Sequence, residues 1–146
     1  MSSVEPASNS DLIPSFLEAC PEFAASWQEH LAYWAPDRAG VYNDLGELAH
    51  FAVVSYKQGS TDVVARILAR AEQLLTLNDE KTNGLIAVGL LETIQTVASH
   101  HAFGGSAFVR FLGPISQKAW VEVEQAWQGQ SSLMDVIRAE RNRNDA

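Results

Sequence analysis

Between Val64 and Leu75 the apolar residues Val64, Ile67, Leu68, Ala71, Leu74 and Leu75 recur at steps of three and four. That spacing gathers side chains on one face of an α-helix and would scatter them over both faces of a strand. The stripe has to be buried against another element, so the chain needs a helical partner for it. The opposite face carries Asp62, Arg66 and Arg70, with Asp62 and Arg66 in the acidic-first i,i+4 order that adds ~0.3 kcal/mol on a solvated helix.

The same period recurs along the chain. Asp11 can cap a short helix to Cys20, and after Pro21 the residues Phe23, Trp27, Leu31 and Trp34 fall on one face. Leu45, Leu48, Ala49, Ala52 and Tyr56 form a stripe within residues 41–58, which Gly59 closes. Asn78 and Asp79 make a turn. Residues 85–98 are then apolar on almost every side, as expected of the central helix of a core, with Gly84 and Gly89 placed for close approach of a neighbour. Residues 100–105 connect to a short apolar helix through Phe108, Phe111 and Leu112. Pro114 opens a helix with Trp120, Val123 and Trp127 on one face, and a last short helix begins at Leu133.

No segment alternates as a strand does. The expected fold is all-α, a compact bundle of six to seven antiparallel helices, and the hairpin succession from Val41 to Ala98 allows α-solenoid-like helix pairs, although no self-similarity marks a repeat. With 146 residues, 47% of them hydrophobic, one core is expected. The expected organisation is a disordered leader at 1–10, a single helical domain at 11–138 and a polar tail at 139–146.

Eighteen acidic against ten basic side chains leave a net charge of -8, which disfavours nucleic acid and anionic membrane surfaces as partners. Cys20 is the one cysteine, so an internal disulfide is excluded and a reducing, cytoplasmic setting is expected. Met1 to Pro6 has the pattern of no export signal, and no apolar run approaches the ~18 residues of a membrane span.

Chemistry-bearing motifs are sparse. Glu47-Leu48-Ala49-His50 places a carboxylate and an imidazole on one helical face, as di-iron bundles do twice, but Gln95 and not His stands three residues after Glu92. No metal, cofactor or catalytic residue is therefore assigned. A metal-dependent helical enzyme built on Glu47, His50 and Glu92 is the remaining catalytic alternative. There is no Gly-x-Ser-x-Gly elbow and no phosphate-binding glycine loop.

Binding residues are easier to nominate. Glu92 is the lone charge between Gly84 and Ser99, and Arg66, Arg70 or Arg110 could supply its counter-charge. Trp34 is the tryptophan closest to a loop and a candidate interface anchor. Asp37, Asp44, Glu47, Asp62, Asp79 and Glu80 gather at loops and helix starts, where a negative rim could steer a basic partner.

A Phe-Leu-Glu start at 16–18, Pro-Glu-Phe at 21–23, two amphipathic helices, and Asn83-Gly84-Leu85-Ile86 running into Leu90-Leu91-Glu92 form a pattern over residues 12–127. This pattern resembles a family of small, uncharacterised all-helical bacterial proteins often regarded as immunity proteins, which protect a cell by binding a toxin. The resemblance implies a non-enzymatic, intracellular protein that neutralises a basic toxin domain by direct binding. It assigns no role to Glu92. A helical adaptor or oligomeric scaffold is the alternative within the binding class.

Overall fold

The computed structural model describes residues 12–126. Helix α1 spans Leu12–Ala19, a 3-10 turn at Pro21–Phe23 leads into α2 at Ala24–Trp34, and α3 and α4 follow at Val41–Lys57 and Thr61–Leu75. A continuous central helix comes next. It is α-helical at Glu80–Gly84, takes π geometry at Leu85–Glu92 and returns to α at Thr93–Ala98. A 3-10 segment at Gly105–Phe111 precedes a helix at 114–126. No strand is present among the described residues, in agreement with the all-α bundle expected. The leader at 1–10, the Asp11 cap, Trp127, the helix from Leu133 and the tail lie outside the described residues.

Helix α3 organises the packing, lying against the central helix along most of its length and against α4 and α2 on other sides. Phe16, Phe23, Leu45, Leu48, Ile67, Leu68, Ile86, Leu90, Leu91, Ile94 and Phe108 are fully buried in one core, each large side chain contributing roughly 1.5–3 kcal/mol. Gly59, at φ +86°, ends α3 as expected. The Ser60 amide donates to the Ser55 carbonyl and the Gly59 amide to Tyr56, which satisfies the last carbonyls of the helix.

The two glycines expected to admit a neighbour differ. A Cβ on Gly89 would come within 2.7 Å of Leu45 Cδ1 and 3.0 Å of Leu45 Cβ, so the contact between α3 and the central helix depends on this glycine. Gly84 faces open space and admits nothing.

The π segment is the feature that no periodicity disclosed. It follows the stretch of the central helix packed most heavily on α3, and it leaves Val88 46% exposed, where burial on every side was expected. One face of this helix is consequently open.

Candidate functional site

The open face borders a groove of about 850 Å³ between α2, α3 and the π segment. Helix α2 brings Glu29, Tyr33 and Trp34, α3 brings Tyr42, Glu47 and His50, and the central helix brings Val88 and Glu92. Among the described residues that line it, none is Lys or Arg. The groove is therefore acidic and walled by aromatic rings. Tyr33 is 82% exposed and meets Trp34 edge to face at 5.7 Å.

Its inner wall is His30, which the sequence reading passed over. Phe23, Trp27, Leu31 and Trp34 were expected to form the buried face of α2. In the structure His30 takes the inward position with 9% exposure, while Leu31 is 41% exposed and Trp34 also reaches solvent. The reason is the partners available to an imidazole there. Nε2 donates to Asp44 Oδ1 at 2.8 Å, Nδ1 faces Glu47 Oε1 at 3.6 Å, and the ring stacks on Trp27 with centroids 5.4 Å apart. An ionised carboxylate only accepts, which assigns the proton to Nε2. His30 thus ties α2 to the first two turns of α3. The signal was present in the sequence, because His30 stands three residues after Trp27 and seven after Phe23.

The nominated binding residues separate into two groups. Trp34, Glu47 and Glu92 line the groove, and Asp44 lies behind it on His30. Asp37 borders a neighbouring hollow that also includes Asp44 and Trp34. The others serve their own helices. Asp62 pairs with Arg66, Asp79 caps the central helix by accepting from the Thr82 amide at 2.9 Å, and Glu80 stands exposed in the first turn. The Thr82 amide first, then the Thr82 side chain, hold the Asp79 carboxyl below its ordinary value.

The counter-charges considered for Glu92 lie elsewhere. Arg66 bonds Glu22 and Asp62, Arg70 bonds Glu18 and the Ser15 carbonyl, and Arg110 sits 4.5 Å over the Phe111 ring. Their helix faces point toward α1 and the 3-10 segments and away from the groove. Glu92 makes no ion pair among the described residues. Although Glu47, His50 and Glu92 share the groove, no group of three or more His, Cys, Asp or Glu converges as a metal-ligand set among the described residues. No described helix is long and apolar enough to cross a membrane.

Two further features position the walls. Glu72 of α4 caps the 114–126 helix from outside, accepting from the Ser116 amide at 2.8 Å, the Ser116 hydroxyl at 2.7 Å and the Ile115 amide at 3.2 Å. A Cβ on Gly113 would lie 2.5 Å from Glu72 Cδ, so the glycine makes room for this cap. Cys20 is buried, and that burial, then the Glu22 carboxylate, pushes its thiol up.

The described residues thus define a small all-helical protein with one core and one open groove that combines carboxylates with exposed aromatic rings. The chain belongs to the family described as a domain of unknown function, DUF7674, whose profile matches residues 13–128. No curated protein and no solved structure matches the chain. The family assignment agrees with the uncharacterised helical family that the sequence pattern resembles, and its description names no activity.

Proposed function

We propose that this protein is a non-enzymatic binding protein, an intracellular immunity protein that neutralises a cognate toxin by covering a basic surface of it. The observation that carries the reading is the groove between α2, α3 and the π segment. Glu29, Glu47 and Glu92 line it, no Lys or Arg joins them among the described residues, and Tyr33, Trp34 and Tyr42 stand at its mouth. Aromatic side chains supply rigid contact area, and unpaired carboxylates attract cationic surfaces and speed their encounter. A net charge of -8 extends that attraction beyond the groove. A toxin acting on nucleic acid needs a basic cleft, which such a surface complements.

Co-expression with toxin-like proteins encoded beside this gene tests the reading. Growth rescue by the wild-type chain, together with a purified complex whose association rate falls as salt rises, is the expected result. The reading is lost if no neighbouring product is toxic, or if the chain neither binds nor protects.

A further inference from the structure

Trp34 does not only border the acidic groove. On its other side lies a hollow of about 320 Å³ between α1, α2 and the connection to α3, walled by Ile13, Leu17, Trp27, Leu31 and Trp34. His30 and Trp34 are common to both depressions, so they form a ridge between an acidic concavity and an apolar one. Leu31 and Trp34 are large apolar side chains left in water on this ridge, and Tyr33 flanks them.

We propose that this ridge is straddled by one segment of a partner protein that carries a lysine or arginine side chain for the groove and an adjacent apolar side chain for the hollow. The inference rests on the reading that the protein binds a protein partner, and it adds the chemistry of the segment recognised. A cation in the groove meets Glu47 and Glu92 as counter-charges and aromatic faces as cation–π partners. An apolar side chain in the hollow removes Leu31 and Trp34 from water. Neither half suffices alone. A wholly apolar segment would desolvate the groove carboxylates with no counter-charge, which is strongly unfavourable. A wholly basic one would leave the apolar walls wet. Acidic peptides and phosphate-bearing surfaces are repelled by the same carboxylates.

Selection of a phage-displayed library of random short peptides on the full chain is the test, with synthetic copies of the enriched peptides used for calorimetry. Enriched peptides are expected to place Arg or Lys beside an aliphatic or aromatic residue. Trp34→Ala is expected to weaken them by about tenfold or more, and Trp34→Phe to recover most of that loss. Combining Glu47→Gln with Glu92→Gln is expected to abolish the salt dependence of binding, whereas Leu31→Ser should reduce affinity and leave that dependence in place. Circular dichroism of each variant separates a lost surface from a lost fold. The proposal is overturned if no peptide is enriched, if the enriched peptides lack positive charge, or if folded Trp34→Ala binds them unchanged. Toxin protection that survives all these variants would remove the ridge proposal and leave the immunity reading standing. Enrichment of the expected peptides without protection from any toxin would do the reverse.

Discussion

His30 Nε2 lies 2.8 Å from Asp44 Oδ1, and this single bond fastens the last turn of α2 to the first turn of α3. With Trp27 stacked on the ring and Glu47 facing Nδ1, the imidazole is held on three sides. Replacing it by alanine removes a hydrogen bond to a carboxylate and opens a gap beside Trp27. His30→Ala is expected to lower stability by about 2 kcal/mol, read as a shift in the urea midpoint with unchanged slope. An unshifted midpoint would show that the contact contributes nothing.

Glu72 offers a sharper case, since its partners belong to another helix. Burial raises its carboxyl, but the Ser116 hydroxyl and amide and the Ile115 amide together outweigh that and hold it below the ordinary value. Glu72→Ala is expected to cost about 1 kcal/mol, as loss of a helix cap does. Gly113→Ala should cost a comparable amount by displacing the carboxylate, and the double variant should be little worse than either, which a double-mutant cycle in urea will measure. Because the folded value lies below the unfolded one, the stabilisation is complete above the unfolded value and is lost as pH falls through the folded value. Glu72→Gln should flatten that acid limb.

Gly89→Ala sets two effects against each other. Alanine gains about 1 kcal/mol in helix propensity, but its methyl would meet Leu45 Cβ at 3.0 Å and Cδ1 at 2.7 Å. Overpacking of this kind costs roughly 1–3 kcal/mol, so the net expectation is a lower melting temperature. Pairing it with Leu45→Ala should recover part of the loss, and a melting temperature at or above wild type in the single variant would contradict the tight contact.

Glu22 provides a purely spectroscopic prediction. Hydrogen bonding from Arg66 lowers its carboxyl to about 2. In a carboxyl-carbon NMR titration its signal should stay in the ionised position until the pH approaches that value. Arg66→Ala should move the midpoint back toward the ordinary glutamate range. The interaction is present above the unfolded value and disappears as the pH falls through the folded one.

Much of the fold was legible because periodicity reports burial directly. The stripe at Val64 to Leu75, the Gly59 stop and the Asn78-Asp79 turn reappear as α4, a left-handed cap and the start of the central helix. The site was legible only in part. Glu47, Glu92 and Trp34 were singled out as isolated residues, and nothing in a linear pattern says that α2, α3 and the central helix set them round one groove. His30 escaped because a polar residue on an apolar face reads as exposed until its carboxylate partners, fourteen and seventeen positions later, are brought to it. Glu72 escaped for the same reason, its cap lying more than forty residues away.

The π segment at Leu85–Glu92 carries a consequence for the phase of everything that follows it. Its hydrogen-bonded loops close at i+5 and so hold one residue more than α-helical ones. Removing a single residue from this stretch would let it relax to α pitch and turn the helix beyond it by about 100°. Ile94 and Ala98 would rotate off the core and Thr93 and Thr96 off the groove wall. A one-residue deletion here would therefore act as a rotation of half a helix, whereas a deletion of the same size in the exposed turn at 99–103 would change only a connection.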